Sequence, residues 1–271
     1  MLIDMYDAVS GKSYEEIGYE QYAELPPYRE KYLSPALATV SQISCLMGLI
    51  ASYRFSDDRA IERVLEVGVD VGVTDLYLLK AGMKNPNFYL YSIEKWEDPF
   101  LGSAVYQEAD NLELKHYSLH KGKTTFDIES VLDSTLRLDM IFIDGAHAHP
   151  YPLMDLLFLL PYLHRESLIV LHDVEVYSDV GELGNCYIFS AWDDKYVNRK
   201  FFGEKISTDT ESMGILKLPK SRERLQEILL HTAGQPIVRG SRLIFRIIPM
   251  MRKKKSWGWI YRPSTMIYAI F

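Results

Sequence analysis

The sequence predicts an α/β protein built on a doubly wound, mostly parallel sheet. From about residue 60 onward, short apolar runs that are typical of buried strands alternate with segments of helical pattern. Strands that alternate with helices are the pattern of parallel sheets with helices on both faces. The first run, at 63–67, leads into a turn bracketed by Gly68 and Gly72 and then into an apolar helix. This succession indicates the first strand, turn and helix of such a sheet.

The other elements are predicted from the same patterns. Ser34 and Pro35 are expected to begin an apolar helix that runs to about residue 53, with serine as N-cap and proline at the first helical position. The predicted strands lie at 63–67, 88–93, 111–117, 139–143, 168–171, 200–206 and 213–218. The predicted helices that follow lie at 73–81, 125–135, 152–163, 184–197 and 222–230.

Composition limits the classes of protein that need to be considered. The formal net charge of −7 over 271 residues argues against a general nucleic-acid-binding role. The sequence contains two cysteines, which favours a reduced protein, and no apolar run approaches the roughly 18 residues of a membrane span. We therefore expect a cytoplasmic location.

The chain divides by pattern into three predicted parts. These are an N-terminal helical cap at 1–55, a cofactor-binding domain at 56–220, and a C-terminal helix with a basic and aromatic tail at 221–271. Residues 239–262 carry eight basic side chains and no acidic one, together with two tryptophans. The sequence favours a solvated appendage here, and peripheral contact with an anionic membrane surface or an anionic partner is the alternative.

The glycine turn predicts a nucleoside-type cofactor. It reads Glu66, Gly68 and Gly72 in the spacing E-x-G-x-x-x-G, and Glu94 ends the next apolar run. Glycine allows positive φ and close approach of a ligand to the backbone, and an acid at the end of the second strand can accept hydrogen bonds from a ribose diol. Asp70 stands where a dinucleotide fingerprint has its middle glycine, which argues against a pyrophosphate and a nicotinamide enzyme.

Acidic and imidazole side chains follow two predicted strands that are expected to be neighbours. Asp144, His147 and His149 follow 139–143, and His172 and Asp173 follow 168–171. Ligands bind at the carboxyl ends of strands in open sheets, so we expect these groups to converge on one crevice. They could hold a divalent metal, or a histidine could act as general base with an aspartate orienting it. Helix or loop caps and solvent-exposed loop histidines are the structural alternative.

Four segments together resemble the class I S-adenosylmethionine-dependent methyltransferases. They are VLEVGVDVG, YLYSIEKW, DMIFIDGAHAHPYPLMDL and IVLHDV. The third is similar to the I-D-G-x-H-x-Y signature of methyltransferase family 24, and the resemblance covers about residues 60–220. It implies a seven-stranded sheet with its last strand antiparallel, S-adenosylmethionine as cofactor, and methyl transfer, commonly to oxygen. The acceptor would be a small molecule such as a sugar or glycan precursor, and a homo-oligomer is compatible with the sequence.

The leading hypothesis is an O-methyltransferase; it assigns roles to particular residues, and the metal ligands among them are implied by the resemblance. The cofactor would be bound by Glu66, Gly68, Gly72, Glu94 and Asp144. His147 and Asp144 would be catalytic, and a divalent metal such as magnesium would be held by Asp144, His172 and Asp173.

The sequence departs from the family pattern at three places, two single residues and one short segment. His149 stands where the signature has tyrosine, and His172 stands where metal-dependent relatives have an acid. Gly122, Lys123 and Thr124 stand where relatives carry Gly-Asp-Ser near the adenine. A His–Asp pair would suit a softer ion than magnesium, or no ion at all. These departures leave open a second hypothesis, a binding or scaffold protein on the same fold that has lost catalysis.

Overall fold

The computed structural model describes residues 10–32, 38–174, 184–192, 197–198, 213–219 and 221–235. Three predicted features lie outside these ranges. They are the helix start at Ser34 and Pro35, the strand at 200–206, and the basic tail at 239–262.

A seven-stranded sheet forms the centre of the protein. The strands are β1 (Arg63–Val67), β2 (Tyr89–Glu94), β3 (Tyr117–Lys121), β4 (Leu138–Ile143), β5 (Leu163–His172), β6 (Val197–Asn198) and β7 (Met213–Lys217). Their order across the sheet is β3-β2-β1-β4-β5-β7-β6. The first five pair in parallel, whereas β7 runs antiparallel to both β5 and β6. The predicted doubly wound sheet and its antiparallel strand are confirmed.

Helices cover both faces of this sheet. They are α1 (Tyr14–Glu24), α2 (Tyr28–Tyr32), α3 (Val40–Ser52), α4 (Val73–Gly82), α5 (Ser103–Glu108), α6 (Tyr151–Leu159), α7 (Gly184–Ala191) and α8 (Arg222–Ala233). Within the described ranges, none of these helices combines the length and hydropathy of a bilayer-crossing segment.

The central strand β4 shows how the two faces are built. All six of its residues are buried. Met140 and Phe142 belong to the hydrophobic cluster that contains α3 and α4, whereas Ile141 and Ile143 belong to the cluster that contains α6, α7 and α8. Successive side chains of a strand point to opposite faces, so a strand covered on both sides reads as a continuous apolar run.

The N-terminal helices pack directly on the sheet domain. Helix α3 is buried along nearly its whole length and shares one hydrophobic cluster with α4. Helix α1 crosses α3 at Gly18 and Gly48, where a Cβ added to either glycine would lie 1.6 or 1.7 Å from a backbone oxygen of the other helix. Only glycine permits so close an approach of the two helices. The contact therefore fixes the position of α3 relative to α1. The division of the chain at residue 55 stays a prediction.

Several predicted boundaries were wrong. The described helix α3 begins at Val40, after the N-cap Thr39. The strand predicted at 111–117 is displaced to β3, because Asp110 accepts hydrogen bonds from the backbone N–H groups of Leu112 and Glu113 and starts a short 3-10 helix instead. The helix predicted at 125–135 is a 3-10 helix over Thr125–Ser130. In each case local side-chain capping outweighed the apolar pattern.

Candidate active site

The glycine turn after β1 has the backbone conformation that its residues predict. Gly68 and Gly72 have φ values of 92° and 82°, and Asp70 between them has φ 49°. Aspartate tolerates this left-handed region better than most residues, so the turn forms without the middle glycine. Gly72 is the N-cap of α4 and has no side chain that could cap the helix. The first N–H groups of α4 are therefore left without a side-chain acceptor at the N-cap position.

Gly68 also joins the turn to the loop that follows β4. A Cβ added at Gly68 would lie 2.4 Å from the backbone oxygen of Asp144. The N–H of Asp144 donates to the carbonyl of Val67 at 2.9 Å. The two backbones are thus in direct contact. This contact requires glycine at position 68, in addition to the expected approach of a ligand.

Glu94 lies against the same turn. The residue is 8 % exposed, and its carboxylate accepts hydrogen bonds from the backbone N–H of Val69 at 3.1 Å and of Trp96 at 3.2 Å. A carboxylate offers about four lone-pair sites, so these two bonds leave acceptor capacity for a ligand hydroxyl. Glu94 therefore fastens the end of β2 to the turn and can still accept further hydrogen bonds.

Glu66 belongs to a buried polar network beneath the turn. Asp75, from α4, accepts hydrogen bonds from the hydroxyls of Ser92 at 2.8 Å and Tyr117 at 2.6 Å. Burial, followed by the charge of Asp75 and a hydrogen bond to it, raises the pKa of Glu66 well above its ordinary value. Its second oxygen, Oε2, is buried without a hydrogen-bond partner among the described residues.

Four of the five side chains predicted to converge after β4 and β5 do so. They are Asp144, His147, His172 and Asp173, which we call the His–Asp cluster. Asp144 Oδ1 lies 2.9 Å from His172 Nδ1 and 3.3 Å from His147 Nε2. Asp173 approaches both imidazoles, with Oδ2 2.7 Å from His147 Nδ1 and Oδ1 3.2 Å from His172 Nδ1.

The parallel pairing of β4 and β5 creates this convergence. Ile143 and Leu171 are register partners, so the residues that follow them leave the sheet side by side. Asp173 turns the chain with a positive φ of 53°. Asn185 of α7 donates from Nδ2 to the carbonyl of His172 at 2.6 Å and is itself buried. The cluster is therefore held by the strand ends and by a helix beyond them.

Opposite charges within the His–Asp cluster compensate one another. Burial disfavours each charged imidazole, but the neighbouring carboxylates prevail and raise the pKa of His147 to about 9 and that of His172 well above its ordinary value. The pKa values of Asp144 and Asp173 are lowered, because the imidazoles outweigh the effect of burial. Without another cation, the cluster therefore holds its protons on the histidines at neutral pH.

The His–Asp cluster also fits a divalent metal. Asp144, His147 and His172 each offer a ligand atom, and these atoms lie within 4.8 Å of one another. His172 Nδ1 and Asp173 Oδ1 are buried without an aligned hydrogen bond, although both take part in ion-pair contacts. Two imidazoles and a carboxylate suit zinc, iron or a similar ion better than magnesium. The sequence predicted Asp144, His172 and Asp173 as the metal ligands. The structure groups His147 with Asp144 and His172 instead, and Asp173 contacts the imidazoles of His147 and His172.

His149 differs from the other histidines. It is 1 % exposed, and its ring packs edge-on against Tyr187 with 5.3 Å between centroids. Burial lowers its pKa, so the ring is neutral, and it is not among the residues grouped around the possible metal position. Thr124, in the segment that departs from Gly-Asp-Ser, forms a capping box with Asp127 at the start of a 3-10 helix.

Sequence reasoning missed Gln42. This residue of α3 is fully buried, and its Oε1 lies 3.2 Å from His172 Nε2. A single amide in a helix of mostly apolar residues was the available signal. Its partner is 130 positions away in sequence, so no local pattern could have connected the two.

Comparisons with known proteins agree with this architecture. Residues 65–174 match the family model Methyltransf_24, described as a methyltransferase domain. The chain has the class I methyltransferase fold, and the residues that match the family model include both the glycine turn and the His–Asp cluster. No curated protein sequence matches the chain.

Two solved structures illustrate the fold similarity. One is the O-methyltransferase TomG from Streptomyces achromogenes, involved in tomaymycin synthesis and solved with SAM, at 19 % identity and a TM-score of 0.53; the match covers 74 % of this chain and 90 % of that one. The other is an O-methyltransferase from Bacillus cereus solved with SAH, at 15 % identity and a TM-score of 0.51; the match covers 78 % of this chain and 94 % of that one. Both are similar in fold.

Proposed function

We propose that this protein transfers a methyl group from S-adenosylmethionine to a hydroxyl group of a small molecule. The observation that carries the proposal is the backbone contact between Gly68 and Asp144. A Cβ added at Gly68 would lie only 2.4 Å from the carbonyl oxygen of Asp144. This contact connects two parts of the site. The glycine turn is suited to a nucleoside-type donor, and the His–Asp cluster is suited to an acceptor hydroxyl. S-adenosylmethionine would supply an activated methyl group, and the protein's task is to align the acceptor with it.

The donor would lie across the glycine turn. The carboxylate of Glu94 retains acceptor sites for a ribose diol, and the N-terminus of α4 is uncapped by a side chain. Gly68 and Gly72 leave the turn without side chains, and Glu66 has a buried oxygen without a partner among the described residues. Asp144 borders the same turn through the carbonyl of Val67. These features support a role in donor binding for each of the five residues.

His147 and Asp144 would act on the acceptor. The imidazole of His147 is held by carboxylates on two sides and is 22 % exposed, so it is both oriented and within reach of a ligand. As general base it would take the proton of the acceptor hydroxyl. A divalent ion held by Asp144, His147 and His172 would instead supply Lewis-acid chemistry that lowers the pKa of that hydroxyl.

The acceptor class that we propose is a sugar or another hydroxylated small molecule. Carboxylates and imidazoles in one crevice can bind several hydroxyl groups at once, as a polyol presents them. Contact of residues 239–262 with a membrane surface and assembly into a homo-oligomer stay predictions from the sequence.

Removing Glu94 should weaken donor binding. We expect Glu94→Ala to raise the Kd for S-adenosylhomocysteine by roughly 10–150-fold, because a charged hydrogen bond contributes about 1.5–3 kcal/mol. The substitution also leaves the N–H of Val69 without its acceptor, so thermal unfolding should be measured alongside calorimetry. Glu97→Ala, in the same loop, is the matched control. Unchanged affinity in a folded Glu94→Ala protein would reject this role.

Chelation distinguishes the two ways of activating the acceptor. If a divalent ion is required, exhaustive chelation should abolish methyl transfer and leave S-adenosylhomocysteine binding unchanged, and added zinc, iron or manganese should restore activity. If His147 acts alone, chelation should have no effect, and activity should rise with pH toward about 9 because the base form appears only as that imidazole loses its proton. Loss of both transfer and donor binding on chelation would contradict both versions.

A further inference from the structure

Gln42 brings the N-terminal helices into contact with the His–Asp cluster. The residue occupies the third position of α3, and its side chain is fully buried. Its Oε1 accepts a hydrogen bond from the backbone N–H of Thr39 at 2.8 Å and lies 3.2 Å from His172 Nε2. One amide oxygen therefore serves both the helix start and the imidazole.

These contacts determine which nitrogen of His172 carries a hydrogen toward α3. The N–H of Thr39 can only donate, so the atom that faces it must be the oxygen of Gln42, and this fixes the orientation of the amide. An amide oxygen can only accept, so His172 Nε2 must be the donor. Nδ1 is then the nitrogen presented to Asp144 at 2.9 Å and to Asp173 at 3.2 Å.

We propose that Gln42 is a positioning residue of the active site, which holds His172 so that Nδ1 faces the carboxylates of the His–Asp cluster. The inference rests on the proposed function, because it gives the N-terminal helices a part in the same site. It holds for either form of the cluster, since an imidazole that ligates a metal through one nitrogen usually has its other N–H oriented by an acceptor.

Burial supports a role beyond helix capping. Nε2 of Gln42 is buried and has no hydrogen-bond partner in the part of the chain that the structure describes. An unsatisfied buried donor costs about 1–3 kcal/mol, a cost that a residue serving only the helix end could avoid by pointing to solvent. The hydroxyl of Thr39 already caps the helix by accepting from the N–H of Gln42 at 3.2 Å. The contact with His172 explains why the amide is directed inward.

Three variants separate positioning from capping. Gln42→Met removes the amide and keeps a side chain of similar length. Gln42→Glu retains an oxygen that can accept from both Thr39 and His172, and it preserves the capping box. Thr39→Ala removes the hydroxyl cap and leaves the contact between Gln42 and His172 intact. Each variant is compared with the wild type in thermal unfolding, donor binding and steady-state methyl transfer.

We expect Gln42→Met to lower kcat by roughly 10–100-fold, as for other residues that orient an active-site imidazole, with the Kd for S-adenosylhomocysteine unchanged. Gln42→Glu should recover most of that loss. Thr39→Ala should lower the Tm and leave kcat close to that of the wild type. Equal losses of kcat in Gln42→Met and Thr39→Ala, or full activity in Gln42→Met, would overturn the inference.

A spectroscopic measurement tests the same inference without turnover. In protein labelled with ¹⁵N-histidine, the His172 signals are assigned by comparison with a His172→Gln variant. We expect a hydrogen on Nε2 in the wild type, and in Gln42→Met we expect its resonance to shift and its exchange with water to become faster. Absence of methyl transfer by the wild type would contradict the proposed function, whereas an Nε2 resonance that is absent in the wild type or unchanged in Gln42→Met would contradict the role of Gln42.

Discussion

Replacing His147 with glutamine is expected to lower kcat by roughly 100–10,000-fold, the range that a positioned general acid or base contributes. The imidazole contacts Asp144 on one side and Asp173 on the other, and glutamine can keep only part of this arrangement. Glutamine neither accepts the proton of a hydroxyl at neutral pH nor replaces an imidazole as a metal ligand. Both versions of acceptor activation therefore predict the same loss.

The measurement for His147 is steady-state methyl transfer together with calorimetric binding of S-adenosylhomocysteine. Donor affinity should stay within about threefold of the wild type, because His147 is not among the residues proposed to bind the donor. His231→Gln, on α8, is the control for loss of a histidine outside the cluster. A His147→Gln enzyme with kcat within tenfold of the wild type would leave acceptor activation to other groups.

The sequence predicted the sheet and the meeting of the cluster residues for the same reason. Buried parallel strands leave continuous apolar runs, and side chains that follow neighbouring runs must leave the sheet at the same edge. The proximity of Asp144 and His172 could thus be predicted from the sequence alone. Which nitrogen faces which carboxylate could not be predicted, because that depends on ring orientation and on Gln42.

Other parts of the site were beyond the reach of sequence patterns. The role of Glu66 in cofactor binding stays a prediction, but its hydrogen bond to Asp75 was not foreseen, because it depends on the packing of α4 against β1. The position of β3 was misjudged because Asp110 can cap a helical turn as well as precede a strand. Both cases depend on where one polar side chain finds its partner.

Introducing a side chain at Gly68 should cause the largest combined loss of stability and donor binding. Gly68 has φ 92°, where a side chain costs about 1–3 kcal/mol, and an added Cβ would lie 2.4 Å from the carbonyl oxygen of Asp144. Overpacking against backbone, which cannot rotate away, adds roughly 1–3 kcal/mol. We therefore expect Gly68→Ala to lower the free energy of unfolding by about 2–6 kcal/mol.

Gly145→Ala is the matched control for this prediction, because it lies at the same contact between the two loops. A Cβ at Gly145 would be 3.4 Å from a methyl group of Val67, an ordinary van der Waals distance, and Gly145 is not among the positive-φ glycines. Chemical denaturation and binding of S-adenosylhomocysteine should be measured for both variants. Gly68→Ala should lose stability and donor binding together, since one backbone contact supports the turn and the cluster, whereas Gly145→Ala should change each only slightly. If a folded Gly68→Ala protein binds the donor as tightly as Gly145→Ala does, then the turn after β1 is not the donor site.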